Sequence, residues 1–170
     1  MPSSSESPSV TVLQFYQAFD TRNFDQAIAL LAPSFVAHLA GVPKPLNREA
    51  FQHFGKAFFQ AFPDGQHTFE QVLVDGNCVV TCGTFIGTHR ATFQGLPATG
   101  QQVKISLMHI DRVEDGQIVE HWGQGDQLGL IKQLGIIPVP GPALLPKLLK
   151  SLLSKPFKKI RSIQSQSQAL

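Results

Sequence analysis

The sequence predicts an α+β protein in which a curved antiparallel sheet wraps over N-terminal helices and encloses a hydrophobic pocket. Two observations carry this. Apolar residues recur three and four apart as far as Pro63, then give way to runs rich in β-branched and aromatic residues. Short turns built on Gly and Asp separate those runs, as antiparallel neighbours require.

Residues 1–8 are rich in Ser, Pro and Glu and have nothing to bury, so they read as a disordered leader. Ser9 is the candidate N-cap of a first helix carrying Val12, Phe15, Tyr16 and Phe19 on one side. Asn23 can cap a second, short helix with Phe24, Ala27, Ile28 and Leu31 together and Pro33 just beyond its end. SFVAHLAG (34–41) is short and β-prone, and the Pro-broken loop VPKPLN follows it. Asn47 opens the clearest helix, with Phe51, Phe54, Phe58 and Phe62 on one stripe and Pro63 as its stop. Strands then read over 66–75, 77–89, 102–113 and 117–122. The turns fall at Asp75-Gly76-Asn77, at Gly95-Leu96-Pro97 through Gly100, and at Glu114-Asp115-Gly116. A last helix over 127–134 runs from Asp126 as N-cap to Gly135 as C-terminal stop, which closes a body spanning 9–137.

PVPGP (138–142) reads as a linker, and beyond it Leu144, Leu145, Leu148, Leu149, Leu152 and Leu153 alternate with Lys147, Lys150 and Lys155. That pattern predicts a basic amphipathic tail over 144–161. It would dock on the body or on a second subunit, or make weak peripheral contact with an anionic membrane. The net charge of +2 conceals this asymmetry. All residues from 138 onward are free of acids, while 1–137 hold eight basic and all twelve acidic side chains. A body of that sign repels phosphate backbones, so no nucleic-acid partner is expected.

At 170 residues the chain is long enough for one domain with its own core, and 42% apolar with 15% charged residues excludes a solvated disordered chain. No apolar run approaches the roughly 18 residues of a membrane span. MPSSSESPS lacks the basic start and apolar stretch of a secretory signal, which makes a cytoplasmic location the expectation. Thirteen Phe against one Trp and one Tyr predict an interior of apolar rings. Cys78 and Cys82 share a strand face but lie roughly 13 Å apart along it, too far for a bridge, and read as core filler. No Gly-rich phosphate loop, G-x-S-x-G elbow or H-E-x-x-H run is present, and neither a metal nor a cofactor is expected.

Of the six histidines, His89 and His109 are embedded in apolar strands, where a polar ring lines a cavity or costs stability. Asp126 is the pivotal residue. As an Asp before a helix it is an ordinary N-cap; at the end of the strand holding Glu120 and Trp122 it is also placed to face the pocket. Next to Trp122 in an apolar cavity its carboxylate would be desolvated into a general base, and the two roles can coexist.

GTH at 87–89, GLPATG at 95–100, HIDRVEDGQIVEHWGQGD at 109–126 and LGLIKQLG at 128–135, with FVAHLAG and AFPDG upstream, resemble the SnoaL-like polyketide cyclases (ester cyclases). The resemblance covers about residues 9–136. It implies the cone-shaped α+β barrel of the nuclear-transport-factor-like superfamily, a homodimer, and cofactor-independent ring closure by intramolecular aldol condensation. It also implies that the acid/base is the Asp after the E-x-W segment, here Asp126. Cys82 and the Arg90-Ala91-Thr92-Phe93 run depart from the family's commoner residues, which implies an altered pocket wall.

The expectation is therefore a small cyclase acting on an apolar carbonyl compound. Asp126 exchanges the proton, and His109 and His89 donate to the developing oxyanion. Trp122, Glu120, His38, Phe54, Phe58 and Phe62 hold the substrate. The competing expectations are a non-catalytic module for a hydrophobic ligand or for dimerisation, and isomerase or epoxide-hydrolase chemistry on the same scaffold.

Overall fold

The computed structural model describes residues 7–136, so residues 1–6 of the expected leader, and 137–170 with the linker and basic tail, lie outside the described residues. The chain runs α1 (Pro8–Asp20), α2 (Phe24–Ala29), β1 (Leu31–Leu39), β2 (Leu46–Asn47) and α3 (Arg48–Ala61). It continues through β3 (Gln66–Asp75), β4 (Cys78–Thr88), β5 (Gln102–Glu114), β6 (Gln117–Gly125) and α4 (Gln127–Gln133). This is the expected α+β order.

Helix α1 begins two residues earlier than expected. Ser7, not Ser9, occupies the N-cap position and Pro8 fills the first turn, where its missing N–H costs nothing. Asn23 and Asn47 cap as expected, their side chains accepting from the N–H groups of Gln26 at 3.3 Å and Ala50 at 2.9 Å. Helix α2 ends at Ala29, so Leu31 and Pro33 belong to β1. The β1–β6 register shifts between Leu31 and Val36, and that irregularity accommodates a proline without an N–H to give to the ladder.

The six strands form one sheet in the order β2-β1-β6-β5-β4-β3. Four of the five pairings are antiparallel; β1 lies parallel to β6, which the strand-by-strand reading did not anticipate. The sheet does not close on itself: β2 and β3 are its edges, and α1 and α3 cover the concave side. The two-residue turns Gly76-Asn77 and Asp115-Gly116 join β3 to β4 and β5 to β6, with left-handed backbone at Gly76, Asp115 and Gly116.

Phenylalanine builds the core between helices and sheet. Phe15, Phe35, Phe62 and Phe85 are fully buried. On α3 the buried stripe is Phe51, Gly55 and Phe59, with Phe54 and Phe58 half-buried beside it. Gly55 lets α1 approach, because a Cβ there would sit 2.5 Å from the Phe19 ring. Cys78 and Cys82 are free thiols on the outer face of β4, half-exposed, so they are neither bridged nor core filler. In β4 it is Val79, Thr81, Gly83 and Phe85 that face inward.

Candidate functional site

A cavity of about 180 Å3 opens between the concave sheet face and helices α1 and α3. An apolar cavity of roughly 150 Å3 takes up a benzene ring, so this one admits about one six-membered ring. Its walls are mostly aromatic, with Phe54, Phe58, Phe85 and Phe93 among them. Its polar groups are few, chiefly the imidazoles of His67, His109 and His121 and the carboxylate of Asp126. An apolar enclosure with a few convergent polar groups is the usual form of a small-molecule site.

Asp126 stands at the mouth, lining the cavity while remaining exposed. Its Oδ1 accepts the Gly129 N–H at 2.7 Å and caps α4. The expected neighbour is missing. Strand β6 turns His121, Gly123 and Gly125 inward, so Trp122 points to the outer face and is 45% exposed. There Trp122 stacks on His38 with ring centres 3.9 Å apart, and its indole N–H donates to Glu120 at 3.1 Å. Glu120 in turn pairs with Arg112. Trp122, Glu120 and His38 therefore lie outside the cavity, and Trp122 does not desolvate Asp126.

His109 reaches the cavity floor, its Nδ1 3.2 Å from the Thr81 hydroxyl. Burial, reinforced by the neighbouring His121 and His67, holds its imidazole well below the ordinary histidine value. It is a neutral ring at pH 7, able to donate a hydrogen bond without carrying charge.

His89 does not reach the cavity. It is fully buried, stacked on Phe62 at 5.2 Å, with Nδ1 3.3 Å from the Thr99 hydroxyl and no hydrogen-bond partner at Nε2 among the described residues. The β4–β5 connection encloses it, the His89 backbone bonding to Gln101 and Gly100. It cannot serve an oxyanion in this cavity as expected. Phe62 packs behind the wall against Phe58 and Phe85, whereas Phe54 and Phe58 line the cavity directly. Phe93 lines it as well, so the Arg90–Phe93 departure touches the wall while Cys82 does not.

The structure also brings together a buried polar network that the sequence reading missed. Asp111 on β5 is completely buried, and its carboxylate accepts the Tyr16 O–H at 3.0 Å and contacts His121 Nδ1 at 2.8 Å. Burial and the adjacent Asp111 charge keep the Tyr16 hydroxyl protonated, well above the usual phenol range. His67 makes a second such contact, its Nδ1 2.7 Å from Asp20 on α1. The three imidazoles form a row, with ring centres 6.3 Å apart from His67 to His109 and 5.3 Å from His109 to His121.

Comparison with known proteins agrees with this architecture. The family described as SnoaL-like polyketide cyclase matches residues 10–134. Two sequence relatives are the aklanonic acid methyl ester cyclases DnrD of Streptomyces peucetius and DauD of Streptomyces sp. strain C5. Each is 39% identical over 56 residues, 33% of this chain. Those matches span only 38% and 34% of the two relatives' lengths. Among solved structures, IdmH of Streptomyces antibioticus, assigned as a polyketide cyclase, superposes with a TM-score of 0.69 at 32% identity. That match covers 76% of this chain and 99% of IdmH. AclR of Streptomyces galilaeus, assigned as a hydroxylase, superposes at 0.71 with 24% identity over 79% of this chain and 100% of its own, a likeness of fold alone. With the helices, the open six-stranded sheet and the enclosed apolar cavity in place, the match over residues 10–134 makes this chain a member of the SnoaL-like polyketide cyclase family.

Proposed function

We propose that this protein is a cofactor-independent cyclase that closes a ring in an apolar polycarbonyl compound by intramolecular aldol condensation. The single observation that carries the reading is the pairing, in one Phe-walled cavity, of a carboxylate at the mouth with an uncharged imidazole at the floor. A carbon between two carbonyls is acidic enough for a weak base, because its enolate is delocalised. Asp126 takes that proton and later returns it to the oxygen of the attacked carbonyl, while His109 donates a hydrogen bond to the charge that develops. General acid/base help of this kind supplies roughly 10²–10⁴ in rate, and holding the chain folded on itself supplies the rest. The cavity admits about one ring, so one end of the substrate is inserted and the remainder lies across the mouth.

Asp126→Asn tests this reading. Asn still caps a helix, so the variant folds, and closure of a linear aryl triketone to its cyclic aldol should fall at least 100-fold. A folded variant that closes the ring at the wild-type rate overturns the assignment. The alternative is a non-catalytic module that holds an apolar ligand, and Asp126's occupation as a helix cap favours it. That reading gains if the wild-type protein binds the triketone without converting it. Pairing into a homodimer, and tail contact with anionic membranes, are further proposals. Sedimentation of the full chain and loss of liposome binding on deleting 138–170 test them.

A further inference from the structure

The cavity floor holds a proton-exchanging unit that the mouth carboxylate does not explain. Asp126, just past the end of β6, lies three residues beyond Gly123, roughly 10 Å at strand spacing. A carbon inserted to the floor is out of its direct reach. We infer that His121 takes the proton from the inserted end of the substrate, with Asp111 positioning its imidazole and Tyr16 positioning Asp111. This rests on the proton-transfer reading of the cavity but not on the role given to Asp126.

Three observations support the assignment. First, Asp111 is completely buried and touches two groups, the Tyr16 hydroxyl and His121 Nδ1. An ionised carboxylate only accepts, so the imidazole must donate through Nδ1–H, which leaves the Nε2 lone pair free. Second, that nitrogen is uncovered by the residue beside it. A Cβ at Gly123 would sit 2.9 Å from Nε2 and 2.9 Å from Leu39 Cδ2, so the missing side chain leaves that side of the ring open, and His121, Gly123 and Leu39 all line the cavity. Third, the group packed against His121 Nδ1 is a carboxylate. Among the described residues, the ionisable groups beside His121 are Asp111 and His109 from β5, with Tyr16 of α1 bonded to the other oxygen of Asp111; α1 and α3 otherwise offer Phe15 and Phe51, and β1 offers Ala37. Of these only Asp111 carries charge, 2.8 Å away, so an imidazolium at His121 is compensated where it forms.

The step balances without a further reactant. The C–H pair stays on carbon as an enolate spread over two carbonyl oxygens, and the proton moves to Nε2. The proton on Nε2 trades with solvent and one returns to the enolate carbon, while ring closure and protonation of the attacked carbonyl oxygen stay with Asp126 at the mouth. Asp111 stays ionised throughout, as the orienting carboxylate does in a hydrolase triad.

The test uses 2-tetralone, a bicyclic ketone with slowly exchanging α-protons, incubated with the full chain in D2O and followed by proton NMR. Wild type should accelerate exchange at least 100-fold over buffer, and His121→Gln should abolish the acceleration. Asp111→Asn should lower the plateau and move the alkaline rise to lower pH, because the imidazole loses the negative partner that favours its protonation. A purely structural role for Asp111 would leave the pH profile in place. Exchange that persists in a folded His121→Gln protein overturns this assignment while leaving the cyclase reading intact. Wild type without acceleration overturns both. Nitrogen-15 NMR of the wild-type imidazoles is independent of any variant's folding. Protonated Nδ1 with bare Nε2 at His121 supports the assignment, and the opposite neutral tautomer overturns it.

Discussion

The Asp126 carboxylate folds back on the Gly129 N–H at 2.7 Å, and it can do so only because position 129 has no side chain. A Cβ there would lie 2.0 Å from Asp126 Oδ2. Gly129→Ala should therefore expel the carboxylate from its place at the mouth. Alanine adds about 1 kcal/mol of helix propensity and loss of the cap removes about as much, so the melting temperature should stay within a few degrees. Ring closure should nonetheless fall tenfold or more. A melting curve beside a rate measurement checks this, and an unchanged rate would mean that the position of the Asp126 oxygens does not matter.

The neutral His109 predicts a pH dependence of stability. Its folded value lies well below that of a free histidine, owing first to burial and then to His121 and His67. The unfolded chain therefore binds the extra proton first as pH falls through about 6.5. Stability should be full above that pH and decline below it, by at most about 1.4 kcal/mol per pH unit from this one group. His109→Asn, which can still bond to Thr81, should flatten the curve between pH 6.5 and 5. Urea titrations at pH 7, 6 and 5 measure the difference. Parallel wild-type and variant curves would show that the imidazole is not held neutral.

Much of the framework was legible because it is local. The Asn47 cap, the stripe on α3 and the Gly76 and Gly116 turns are each written within a few residues of where they act. The parallel pairing of β1 with β6 brings Leu31 beside Ile118, and nothing near either residue announces it. The Asp111 network escaped for a sharper reason. In β5 the apolar alternation runs on odd positions through Val103, Ile105 and Leu107, then on even ones through Met108 and Ile110. Apolar pattern alone would turn Ile110 inward and Asp111 out. The strand instead keeps its odd phase, burying Asp111 and leaving Ile110 at 47% and Met108 at 60% exposure. Carrying the phase of Val103, Ile105 and Leu107 onward would have put His109 and Asp111 on the inner face. The same outward apolar ladder includes Trp122, paired with Ile110, which is why Trp122 does not line the cavity despite its nearness in sequence to Asp126.

Ligand affinity separates the two faces. Trp122 stacks on His38 outside the cavity, so Trp122→Ala should leave the Kd for 2-tetralone within twofold of wild type. Phe54 is a half-buried wall residue packed on Phe58 and Phe93. Phe54→Ala removes at least about 1.5 kcal/mol of apolar contact, equivalent to tenfold or more in Kd. Calorimetric titration of both variants decides. The reverse order of effects would place the ligand on the outer face.

A glycine in the β3–β4 turn and a glycine midway along the β3–β4 pairing should respond very differently to alanine. Gly76 adopts a left-handed backbone in the turn and has open space around it, so Gly76→Ala meets only conformational strain, about 1 kcal/mol. Gly83 faces the β3 bulge near Phe69, where a Cβ would lie 2.0 Å from the Thr68 carbonyl oxygen and 2.9 Å from the Phe69 Cα. Both obstacles are backbone, so no rotamer change relieves them, and the strands must separate. Gly83→Ala should therefore cost more than about 3 kcal/mol, beyond ordinary overpacking. Because β3 also carries His67, the variant should loosen the His67–Asp20 contact, visible as a change in the His67 ring signals before global unfolding. Urea melts of the two variants, side by side, provide the comparison. Equal losses at positions 76 and 83 would show that β3 does not approach β4 as closely at the bulge as this register requires.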